Sequence, residues 1–86
     1  MTEDQKRVFG KVLSELRKNA GLTKQRFADE AGLDVDYVKR MEKGLHEPCL
    51  MTQIKIADGL KMKTGTLVET IVSRLEAAGQ LTRFRS

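Results

Sequence analysis

The segment from Leu22 to Gly44 does most to limit what this chain can fold into. It holds two apolar-periodic stretches of about nine residues each, separated only by Gly32, Leu33 and Asp34. Thr23 is suited to cap a helix running to Ala31, with Leu22 before the cap and Phe27 at the fourth helical position, the spacing of a hydrophobic staple. Asp34 repeats the arrangement for a helix from Val35 to Lys43, with Leu33 and Val38 as its staple, and Gly44 closes it. Two helices this short and this tightly joined cannot lie side by side as a long hairpin. They must turn sharply on one another.

The rest of the chain extends the same pattern. From Thr2 to Ala20, the apolar residues Phe9, Val12, Leu13, Leu16 and Ala20 recur at intervals of three and four. Thr2 and Gln5 have the spacing of a capping box, and Asn19-Ala20-Gly21 ends this first helix. After a polar loop from Leu45 to Cys49, the residues Leu50, Ile54, Ala57 and Leu60, with Ile56 beside them, predict a fourth helix. A fifth starts at Lys63 or Thr64 and carries Leu67, Val68, Ile71, Val72 and Leu75 as one broad apolar face before Gly79. No segment alternates as a strand does. The reading is an all-α domain of five helices over residues 1–79, followed by a basic tail, 80–86, that contains Arg83 and Arg85 and is expected to fray.

Composition removes whole classes of function. Eighty-six residues make one domain with a small core. The longest apolar run is Cys49-Leu50-Met51, far short of the roughly 20 residues of a membrane span or the 7 to 15 of a secretory leader. A single cysteine forms no internal disulfide, which fits a reducing compartment, so a cytoplasmic location is expected. Four aromatic residues and no Trp are too few for a surface that stacks single-stranded bases. The net charge of +4 leans toward a polyanionic partner without identifying one. Its placement says more. From Arg17 to Arg26 the chain carries Arg17, Lys18, Lys24 and Arg26 and no acid, at the start of the second helix, where free N–H groups favour phosphate. Asp36, Lys39, Arg40 and Lys43 lie three and four apart, opposite Val38 and Met41.

The stretch LTKQRFADEAGLDVDYVKRMEKG resembles the helix-turn-helix of the phage repressor and Cro family, the Xre-like regulators. Ala28, Gly32, Val38, Glu42 and Gly44 fall at the family's spacings, and the frame continues through Phe9-Gly10, Leu16-Arg17, Glu47-Pro48, Ile54, Ile56-Ala57 and Leu60. The resemblance spans roughly residues 8 to 72. It implies a lambda-repressor-like fold whose third helix enters the major groove of double-stranded DNA. The base-reading positions are then Val35, Asp36, Lys39 and Arg40. Arg40 or Lys39 would donate to guanine, Asp36 would accept from cytosine, and Val35 would pack on a thymine methyl. Lys24, Arg26, Lys43 and His46 would meet phosphate. The resemblance also implies that Arg17 and Glu42 pair between the first and third helices, buried or exposed.

Several residues depart from the family pattern. Arg26 stands where the Glu or Gln of a capping box is usual, Cys49 replaces a Ser cap, and Lys61 sits where a C-terminal Gly is common. Asp34 and Asp36 put two carboxylates at the tip of the helix assigned to DNA. His46-Glu47-Pro48-Cys49 superficially matches fragments of a zinc deaminase signature, but one His and one Cys cannot build a zinc site, so no metal and no cofactor is expected. No phosphate loop or nucleophile motif points to an enzyme, and no sensor for a small-molecule effector is evident. The fifth-helix face, Leu67, Val68, Ile71, Val72 and Leu75, exceeds what one neighbour need cover, so a homodimer is expected, with Val72, Leu75 and Ala78 in surplus. The reading is a sequence-specific transcriptional regulator, a dimeric repressor on a palindromic operator. The rivals are an antitoxin or restriction-modification controller of the same fold, or a protein-interaction module that has lost DNA affinity.

Overall fold

The computed structural model describes residues 1–82, so Arg83 and Arg85 lie outside the described part. It contains α1 (Glu3–Asn19), α2 (Lys24–Ala31), α3 (Val35–Glu42), α4 (Leu50–Gly59) and α5 (Thr64–Ala77), with no strand among the described residues. The expected five helices are present, in order. The capping box of α1 is complete: the Thr2 hydroxyl accepts from the Gln5 N–H at 3.1 Å and the Gln5 side chain accepts from the Thr2 N–H at 2.8 Å. Thr23 caps α2 by accepting from the Arg26 N–H at 3.1 Å, and Asp34 caps α3 by accepting from the Asp36 N–H at 2.7 Å.

All five helices stop by one device. The N–H groups of Leu22, Leu33, Leu45, Met62 and Gln80 reach back five residues to a carbonyl, and the residue before each reaches back three. That doubly bonded ending requires the left-handed conformation at the earlier residue. Gly21, Gly32, Gly44 and Gly79 supply it, and at α4 Lys61 adopts it with φ 56°. The absent glycine noted in the sequence is therefore real, and Lys61 carries the steric cost that a side chain meets there.

Helix α1 packs on α3 and α5, α2 on α3 and α4, and α4 on α5, around Phe9, Leu13, Phe27, Val38, Met41, Ile56 and Leu67, all buried. Three sequence expectations are corrected. Ala20 is exposed, because the turn out of α1 begins there. Leu50 is 66% exposed, while Ile56 is fully buried. At about 100° per residue, Thr52, Ile56 and Leu60 share one stripe of α4 and Leu50 falls roughly 120° away from Ile56. Gln80 and Leu81 do not fray: the Gln80 N–H bonds to Leu75, its carbonyl accepts from the Gln5 side chain at 2.8 Å, and Leu81 packs on the core.

On α5, Leu67, Ile71 and Leu75 are buried in the chain's own core, so Leu75 is not in surplus. Val68 and Val72 are half-buried and form what is left of the stripe.

Candidate nucleic-acid interface

Helix α3 buries Val38 and Met41 and turns Asp36, Lys39 and Arg40 to solvent, with Lys43 exposed just past its last turn. Among the described residues, Lys39, Arg40 and Lys43 have no ion-pair partner. The three cations expected on one face are thus together and open. Val35 is only half-exposed and packs partly against the core. Asp36 uses its backbone N–H in the cap and leaves its carboxylate free in front of the helix. His46 is exposed beyond the end of α3, edge-on to the Tyr37 ring with centroids 5.7 Å apart.

The start of α2 differs in detail from the charge run in the sequence. Lys24 is half-buried at the first helical position, and Arg26 lies 3.6 Å from Glu30 one turn on. Arg17 turns inward and leaves the surface. The open positive charge here is therefore that of Lys18, Lys24 and Arg26, the last shared in part with Glu30. A run without acids in sequence is not one in space, because a helix brings residues four apart together.

Arg17 and Glu42 form a buried ion pair between α1 and the end of α3. The Arg17 guanidinium donates to both carboxylate oxygens of Glu42, at 2.7 and 3.0 Å, and its remaining terminal nitrogen donates to the Leu22 carbonyl at 2.9 Å. The side chains are 8% and 6% exposed. The fork therefore joins α1, the α1–α2 turn and the last turn of α3, and no buried polar side-chain atom among the described residues lacks a partner. The hydrogen bonds to Glu42 hold the Arg17 guanidinium above its ordinary value, outweighing the opposing effect of burial.

Gly10 makes this approach possible. A methyl group at that position would lie 2.5 Å from the Met41 carbonyl oxygen and 2.7 Å from that of Glu42, inside contact distance. A family model described as a helix-turn-helix domain matches residues 8–71, most of the chain. The chain belongs to the helix-turn-helix domain family.

A similar solved structure is the restriction-modification controller protein C.AhdI from Aeromonas hydrophila. It is 34% identical, with a TM-score of 0.68 over 72% of this chain and 94% of that one. No sequence among the curated proteins matches. The resemblance to Xre-like DNA-binding regulators carried by residues 22–44 holds with these findings. In this helix-turn-helix domain, sequence reasoning missed two positioning residues. Gly10 was placed in the family frame without its reason, although a glycine in mid-helix signals a close neighbour. Tyr37 carries no comparable signal in the sequence. Its ring is half-buried beside His46, and its hydroxyl lies 3.5 Å from that of buried Thr52 in α4.

Proposed function

We propose that this protein is a sequence-specific transcriptional regulator that binds double-stranded DNA as a homodimer, with α3 as the recognition helix. The carrying observation is the open cationic face of Lys39, Arg40 and Lys43 on a helix whose angle is held by the buried Arg17–Glu42 fork. Arg40 and Lys39 read bases, with Val35 and Asp36 at the leading end. Lys24, Arg26, Lys43 and His46 hold phosphate. The dimer contact is assigned to the half-buried remainder of the α5 stripe, Val68 and Val72, since Leu67, Ile71 and Leu75 are already taken by the core. A two-fold pair sets two recognition helices about 34 Å apart, one turn of DNA, so the operator is palindromic and its occupation represses.

The likeness to a restriction-modification controller favours that role over an antitoxin. It supports a controller of a restriction-modification system. The test is equilibrium titration of duplex DNA at increasing salt. Binding that weakens steeply, with a slope reduced by about one in Lys24→Ala, supports the reading. No duplex binding at low salt would leave the interaction-module alternative.

A further inference from the structure

We infer that the DNA contact of this domain extends onto α1, where Arg7, Lys11 and Lys43 line a groove that takes a phosphate of the backbone flanking the recognition helix. The inference rests on the duplex-binding reading above and adds an element to it. Arg7, Lys11 and Ser14 are four and three residues apart on one stripe of α1. The close approach at Gly10 sets that stripe beside the end of α3, and an open groove lies between them, with Lys43 on its far wall. The groove runs on past Lys43 and Gly44 toward Lys6.

The charges in it are available. Lys11 and Lys43 are exposed and have no ion-pair partner among the described residues. Arg7 is paired with Asp4 one turn away, both side chains more than half exposed, a contact that solvent already weakens and a phosphate can displace. Glu42 also lines the groove, but its side chain is only 6% exposed and both carboxylate oxygens are engaged by Arg17. Glu15, on the next face of α1, is held by Arg74. Asp4, once displaced from Arg7, and Glu3 at the far end are the opposing charges left. In the last turn of α3 the carbonyls of Lys39, Arg40 and Met41 accept from the N–H groups of Lys43, Leu45 and Gly44.

A guanidinium fork, two ammonium groups and a hydroxyl from Ser14 make a donor set suited to a tetrahedral oxyanion. The occupant is the DNA backbone because Lys43 belongs both to the open face of α3 and to the groove. A duplex lying along that face passes the groove's mouth.

The experiment measures Kd against salt by fluorescence anisotropy on a duplex carrying the preferred site. It compares the parent, Lys24→Ala, Lys11→Ala, and Arg7→Ala combined with Lys11→Ala. Each cation removed from a phosphate lowers the slope of log K against log salt by about 0.9, so the double variant loses about two. The ratio of preferred to scrambled sequence stays at the parent value, as do helicity and thermal midpoint. A parent that shows no duplex binding rejects the proposed function and this inference with it. A parent that binds steeply, with Lys24→Ala reduced and both α1 variants unchanged, rejects the α1 contact alone. Loss of site preference in Lys11→Ala would likewise overturn it, since a phosphate contact carries no base information.

Discussion

Arg17→Met leaves the Glu42 carboxylate buried with no cation to meet it, and a broken buried pair of this kind costs about 3 to 5 kcal/mol. The companion variant, Arg17→Met with Glu42→Leu, should recover much of that loss, because two apolar side chains need no partner. Urea denaturation of the three proteins checks the order. Equal losses in the single and double variants would show that packing, not the uncompensated charge, sets the cost. Arg40→Ala is a different kind of change. Its side chain is exposed and unpaired, so stability should hold while affinity for the preferred duplex falls by about 1 to 3 kcal/mol and one base position becomes degenerate. A uniform loss on all sequences would reassign Arg40 to phosphate. The partnership of Arg17 with Glu42 was legible through the family resemblance. Its burial was not, because that depends on how closely α1 and α3 approach at Gly10, a distance no spacing rule contains.

At the scale of elements, the ends of the helices were the most legible feature. Thr2, Thr23, Asp34 and the four glycines carry their function in their own chemistry, and each sits where the sequence places it. The faces were less so. Leu50 and Ile56 are both apolar, and only contact with α2 and α5 decides which one α4 turns inward. Lys61 offers a direct check. Its left-handed conformation costs about 1 kcal/mol in any residue with a side chain, so Lys61→Gly should raise the thermal midpoint by several degrees. An unchanged midpoint would mean that the lysine side chain makes a compensating contact.

The α1–α5 pairing has its own acid dependence. The hydrogen bonds from Arg74 hold the Glu15 carboxyl below the usual carboxylate range. As pH falls, the unfolded chain takes up this proton first. The contribution is therefore present above the ordinary carboxylate value and lost as pH falls through the lower folded one. Thermal midpoints measured from about pH 6 to pH 3 should fall less steeply in Arg74→Ala than in the parent.

For the whole molecule, the net charge matters less than where the fold puts it. Arg17 is withdrawn into the core, Arg26 shares its charge with Glu30 and Arg74 with Glu15, while Lys39, Arg40 and Lys43 stay open on one helix. Much the same selection acts on apolar residues. Of the five apolar residues on the α5 face, three close the chain's own core and two are left half-buried. Neither outcome was readable from counts, because the Arg26 pair is made by one helical turn, and the Arg17 and Arg74 pairs and the burial are settled between helices. The most direct test of the central claim is selection of preferred sites from a random duplex library by the full chain. The account predicts enrichment of one short sequence, repeated in inverted orientation with centres about one helical turn apart. Recovery of a library no different from the starting pool, under salt low enough to permit binding, would contradict it.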